Sequence, residues 1–243
     1  MPAKKKVYDD VYGYRRISYE SQHRFLHFLY NKLKMFEVSR YKAVQELLPS
    51  QGIRLLDIGC GDGDFIFMVQ NRFKECYGID VSSMRINKAQ RVSGCDTLHF
   101  EVCDVDEGLP FPDQFFDVVT AIAVLEHLFN PPMVVKEINR VLKPLGVFVV
   151  QVPNIAWMPY RVELLFGRLP VTGGFYMGAD WEHLHWFTKE SLSRLLQDNG
   201  FYIEKYSCSG IFAKNRIWWI SMLSGDLIVK SVKRKQTGAK QKC

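Results

Sequence analysis

Paired cysteines, long apolar runs and acidic residues near the carboxyl end are what this 243-residue sequence lacks. Its six cysteines (Cys60, Cys76, Cys95, Cys103, Cys208 and Cys243) form no Cys-x-x-Cys pair. That excludes the common zinc-ribbon and redox spacings, and the thiols read as reduced and mostly packed. No segment approaches the ~20 apolar residues of a membrane span, and MPAKKKVYDD has no apolar stretch of the secretory type. The expectation is a cytoplasmic protein with no integral membrane segment. From Lys230 to Cys243 there are six bases and no acid, which leaves 26 bases against 26 acids elsewhere. The formal charge of +6 therefore belongs to the carboxyl end, with Lys4 to Lys6 at the other. A neutral body argues against a nucleic-acid partner, which needs a clustered basic face. The ends read as solubilising segments, with residues 233–243 a basic flexible tail. Neither an internal repeat nor a low-complexity stretch precedes that tail.

What is present is an ordinary globular mixture, 47% hydrophobic and 24% charged. Apolar residues from Ile17 to Leu48 recur at helical steps, so residues 1–50 are expected to form a helical lid closed by Pro49 and Gly52. Short apolar runs then alternate with helix-like segments. Strands are expected at Ile53–Ile58, Cys76–Val81, Leu98–Val102, Val118–Ala123 and Val147–Val152. Helices are expected at Phe65–Phe73, Ser82–Val92 and Pro131–Leu142. This rhythm predicts right-handed βαβ units, an α/β fold with a parallel sheet covered by helices on both faces. The domain is placed at 51–232, with a glycine-, proline- and aromatic-rich cap inserted at about 153–187. Thr188 is an expected N-cap for a helix to Asn199. Strand Phe201–Cys208, a helix at Ile217–Leu223 and a last strand Asp226–Val232 follow. Trp218, Trp219 and Ile220 beside the basic end suit either the core or a membrane surface.

In "LLDIGCGDGDF" an apolar run stops at Asp57, and Gly59, Gly61 and Gly63 follow in alternation. Glycines there let the backbone turn sharply at the carboxyl end of a strand, where open α/β sheets bind ligands. Asp80 ends the next strand at the interval at which an acid accepts from a ribose diol, which indicates an adenosine-containing ligand. A dinucleotide fingerprint wants glycine or alanine where this chain has Asp64. Asp57, Asp62 and Asp64 would also repel a pyrophosphate, which disfavours NAD. S-adenosylmethionine is a net cation and suits an acidic turn. Asp104, at a third strand end in "FEVCDVDEG", either accepts from an exocyclic amine or is a plain turn aspartate.

Together with "YGIDVS", "CDVDEGLPFPDQFFDVVTAIAVLEHL" and "INRVLKPLGVFVVQVPN", that turn resembles the class I S-adenosylmethionine-dependent methyltransferases of the type 11 and type 23 kind, over Ile53 to about Tyr206. The resemblance implies a Rossmann-like seven-stranded sheet, mostly parallel, with one antiparallel strand that Asp226–Val232 could supply. It implies S-adenosyl-L-methionine as cofactor. Asp57 and the backbone of Gly59, Cys60, Gly61 and Gly63 would face the methionine moiety, Asp80 with Val81 the ribose, and Asp104 with Val105 the adenine. Residues Ala121 to Glu126 would border the methyl group. Met84 and Arg85 either line the ribose or adenine pocket or form an exposed helical turn.

Methyl transfer needs alignment and, for a protonated nucleophile, a base. His127, just after the fourth strand, either serves as that base or braces its loop. His183 and His185 invite a metal reading, but the sequence offers no further ligand grouping, so no metal is expected and they are read as closing the substrate pocket. "NPPM" at Asn130 to Met133 lies too late and lacks the aromatic of base-methylating enzymes; an N-cap followed by proline accounts for it. A small-molecule acceptor is the resulting expectation. "GLPFPDQFFDVV" and "VVQVPNIAWMPYRVELLFGRLPVT" are also similar to MetW-like proteins, which would imply a non-catalytic partner of a homoserine acyltransferase. "AVLEHL" departs from that pattern. The sequence does not set the oligomeric state.

Overall fold

The computed structural model describes residues 37–170 and 183–235. The first elements are the two-residue β1 (Glu37–Val38) and α1 (Arg40–Gln45). There the helical stretch expected from Ile17 to Leu48 is interrupted. Ser39 is extended (φ −63°, ψ 153°) and its hydroxyl accepts from the Lys42 amide, so a new helix begins at Arg40. Residues 17–36 of that expected helix lie outside the described residues.

The alternation that follows is close to the sequence reading: β2 (Gly52–Ile58), α2 (Asp64–Val69), β3 (Phe73–Asp80), α3 (Ser83–Ser93), β4 (Leu98–Val102), β5 (Phe116–Ile122), α4 (Pro131–Val141) and β6 (Leu142–Pro153). Strand β6 begins five residues before the expected one. Lys-Pro-Leu-Gly reads as a turn, yet Leu145 takes a positive φ and the register against β5 shifts between Phe116 and Val118, which absorbs the irregularity. Within the expected irregular cap, Met158–Leu165 forms a helix, α5, with proline in its first turn. Residues 171–182 of the cap lie outside the described residues. Helix α6 (Lys189–Asp198) starts from the Thr188 cap, whose hydroxyl accepts from the Ser191 amide in a capping box. Strand β7 (Phe201–Ser207), β8 (Gly210–Ile211), the short helices α7 (Ala213–Arg216) and α8 (Ile220–Leu223), and β9 (Asp226–Lys233) complete the described chain.

Seven strands form one sheet in the order β4-β3-β2-β5-β6-β9-β7. Strands β2 to β6 pair in parallel, and β9 runs antiparallel to both β6 and β7. Side-chain alternation builds two cores, one per face. Leu55, Val118, Val149 and Ile228 pack with α1, α2 and α3, while Leu56, Val119, Val150 and Val229 pack with α4 and α6. The chain proceeds outward from β2 through β3 to β4 and then returns to β5 on the other side of β2. That reversal opens a crevice beyond the carboxyl ends of β2 and β5.

The carboxyl-terminal lysines are not all tail. Lys230 pairs with Glu204 at 3.1 Å, and Lys233 is buried, its Nζ donating to the carbonyls of Asn139 (2.6 Å) and Leu142 (2.8 Å). These carbonyls lie at the end of α4, where a cation is favoured. Lys233→Met keeps the volume but removes both donors. It is expected to lower stability in urea unfolding by about 1.5–3 kcal/mol, the range for hydrogen bonds to charged groups. An unchanged midpoint would show that water replaces the ammonium. Ile220 belongs to the core, whereas Trp218 and Trp219 are exposed.

Candidate active site

The turn after β2 is held by its neighbours. The amides of Gly59 (2.8 Å) and Cys60 (3.0 Å) donate to the Ile79 carbonyl, and the Gly61 amide donates to Asp80 Oδ2 at 2.9 Å. Asp80 Oδ1 accepts from the Ser82 amide, also at 2.9 Å. Asp80 therefore ties the glycine turn to the start of α3. At Gly59, φ is +67° and a Cβ would lie 2.4 Å from Val124 Cγ2. At Gly61, φ is +55° and a Cβ would meet the Arg85 guanidinium at 2.1 Å. Positive φ favours glycine at both positions and Val124 packing adds to this at Gly59, whether or not a ligand is bound, whereas the Arg85 end at Gly61 can shift.

The charge of the turn is distributed differently from the sequence expectation. Asp62 is paired with both Arg85 (3.0 Å) and Lys88 (2.5 Å), so it is neutralised locally. Asp64 opens α2, where a carboxylate suits the helix amino terminus. Asp57 is buried, and its Oδ1 accepts from the Thr120 hydroxyl at 2.6 Å. Burial pushes its carboxyl up to about 7; the Thr120 bond opposes the shift and the Asp80 charge adds to it.

An unfolded aspartate titrates near 3.9, so between about pH 4 and pH 7 the folded chain holds the extra proton. Relative stability is then lost as pH rises through about 7. Asp57→Asn is expected to gain on the parent over that window, by at most about 4 kcal/mol at ~1.4 kcal/mol per pKa unit. Thermal midpoints of both proteins from pH 4.5 to 8 check this, and parallel curves would contradict it.

A cavity of about 1290 Å³ covers the crevice. Of the residues singled out in the sequence, Gly59, Cys60, Asp80, Val81, Asp104, Val105, Glu126 and His127 line it. Asp57, Gly61, Gly63, Met84 and Ala121 do not: Asp57 and Ala121 are buried within strands, and Met84 is on the surface, exposed by 48%. Its neighbour Arg85 does line the cavity. Asp104 Oδ1 accepts from the Asp106 amide at 3.2 Å, and Asp106 accepts from the Phe129 and Asn130 amides. The loops after β4 and β5 are thereby joined. Among the described lining residues, six carboxylates (Glu37, Asp80, Asp104, Asp106, Glu126 and Asp226) face three guanidiniums (Arg40, Arg85 and Arg216). Such a surplus suits a net cationic ligand.

Gln151, which the sequence reading did not single out, also lines the cavity. It is 5% exposed, and its Oε1 is buried without a hydrogen-bond partner, an acceptor waiting for a donor. A glutamine interrupting the apolar run "FVVQVP" was the available signal. The two histidines of "HLH" separate. His183 is buried beside His127, with ring centroids 4.8 Å apart, whereas His185 lies toward Phe187. One ligand atom each from Glu126, His127 and His183 lies within 4.8 Å of the others, a grouping the sequence had not offered.

A family model described as a methyltransferase domain matches residues 25–206. The ubiquinone biosynthesis O-methyltransferase of Rattus norvegicus is 28% identical over 162 residues, 64% of this chain and 46% of that protein. A tRNA N(3)-cytidine methyltransferase of Mus musculus is 26% identical over 158 residues, 60% of this chain and 40% of its own. The chain thus spans under half the length of these relatives. In fold, an S-adenosylmethionine-dependent methyltransferase from Mesorhizobium loti superposes with a TM-score of 0.60 at 20% identity, over 78% of this chain and 95% of that one. The strand order, the acidic crevice and the matched residues agree: the chain belongs to the methyltransferase-domain family, the class I S-adenosylmethionine-dependent methyltransferases.

Proposed function

We propose that this chain methylates a small-molecule acceptor at an oxygen, nitrogen or carbon nucleophile by in-line displacement. The observation that carries this is the acidic cavity of about 1290 Å³, lined by Asp80 at the end of β3, Asp104 after β4 and His127 after β5. That exceeds the 300–1,000 Å³ usual for one small ligand and has space for a nucleoside and an acceptor together. When bound, S-adenosylmethionine supplies a methyl carbon on a sulfonium, so the carbon–sulfur pair leaves to a neutral thioether as the acceptor's lone pair bonds the carbon.

Each Asp80 oxygen already accepts one amide and keeps a lone pair for a ribose hydroxyl. Asp104 accepts from the adenine amine, and Gln151 Oε1 from an ammonium or acceptor hydroxyl. His127 takes the acceptor's proton. A small molecule is preferred over RNA because the chain outside its basic carboxyl end carries equal numbers of acids and bases.

Calorimetric titration with S-adenosylmethionine and its demethylated product is expected to show binding of both. Incubation with labelled methyl donor and cell extract should then place label in the low-mass fraction. Absence of either nucleoside complex would sink the methyltransferase reading, and label confined to nuclease-sensitive material would sink the small-molecule acceptor.

A further inference from the structure

His183 lies far along the chain from the adjacent Glu126 and His127, and backbone pairing accounts for their meeting. The Glu126 carbonyl accepts from the amides of both Leu184 (2.8 Å) and His185 (3.1 Å), which pins the chain after His183 onto the short turn Leu125–His127. Glu126 is 1% exposed and His183 7%, and all three residues line the cavity.

Taking the methyltransferase reading as given, we infer that Glu126, His127 and His183 bind a divalent first-row transition ion of the zinc type, with its remaining positions open to the cavity. Two imidazole nitrogens and one carboxylate oxygen form the donor set of three-ligand catalytic zinc centres and of facial triads. Calcium and magnesium prefer shells made of oxygen, which two imidazoles do not supply. Bonds of about 2.0–2.2 Å put ligand atoms about 3.4 Å apart around a tetrahedral ion. The present grouping lies within 4.8 Å and has to draw together to reach that spacing.

An acceptor hydroxyl entering an open position ionises more readily, as metal-bound water does, and releases its proton to solvent. Its oxygen is then held at the methyl-transfer end. With the ion bound, the ion takes over the activation that His127 provides as proton acceptor in the ion-free chain.

The test uses the full chain, untagged and dialysed against chelator, titrated with Co²⁺ while visible absorption is followed. One Co²⁺ per chain is expected, displaced by Zn²⁺. His183→Ala and Glu126→Gln should each weaken binding at least ~10-fold, since even outer partners of metal ligands are worth 10–100-fold. His185→Ala should bind as the parent does. Circular dichroism checks that the variants fold, and demethylated-cofactor binding in chelator is measured separately. Cofactor binding without saturable Co²⁺ uptake, or uptake indifferent to both ligand substitutions, overturns the metal site and leaves the methyltransferase reading standing. Co²⁺ uptake without cofactor binding overturns the methyltransferase reading alone.

Discussion

In chelator-dialysed protein, His127→Asn is expected to lower kcat by about 10²–10⁴-fold, the usual contribution of a positioned proton acceptor, while affinity for S-adenosylmethionine changes by less than about twofold. The asymmetry follows from position. His127 ends a one-turn segment whose amide donates to the Val124 carbonyl at 2.9 Å, so the backbone survives the substitution. What is lost is the imidazole proposed to face the acceptor, with its contact to the His183 ring. The parent's pH–rate profile should rise with one ionisation on its acidic limb, and that limb should vanish in the variant. Single-turnover transfer to the acceptor identified in extract measures both. Parallel loss of cofactor affinity and rate would instead assign His127 a bracing role.

Asp80→Ala is expected to weaken S-adenosylmethionine binding by about 10–150-fold, equivalent to ~1.5–3 kcal/mol for hydrogen bonds to a charged group. Two effects act in one direction. The ribose loses its acceptor, and the Gly61 and Ser82 amides lose theirs, so the turn between β2 and α3 is no longer held in shape. Asp80→Asn separates them: one carbonyl oxygen still accepts from an amide, and binding should fall between the parent and the alanine variant. Calorimetry with the demethylated product reads all three. Equal affinity in parent and alanine variant would remove Asp80 from the ligand site.

The parallel half of the fold was legible because period-two and period-3.6 patterns alternate cleanly from Ile53 to Val141, with glycine or a cap residue at most joins. Failures of the reading share a cause. Glu37–Val38 pairs with Gly210–Ile211, and Lys233 meets the end of α4; neither contact leaves a local trace in the sequence. At the site, strand-end acids were found by spacing, but the grouping of Glu126 and His127 with His183 depends on two backbone hydrogen bonds across the fold. Asp62 misled for the opposite reason. Its charge is visible in the sequence, while its cancellation by Arg85 and Lys88 comes from α3.

Strand β9 occupies the gap between β6 and β7, joining Val147 to Val232 and Phe201 to Lys233. Until those residues have been synthesised, β6 and β7 each present a bare edge with nothing to zip against, and emerging chains are at their stickiest in that interval. Closure across so long a stretch is slow, so docking of β9 should set the pace of maturation. Helpers that shield nascent chains would find their busiest moment just before it.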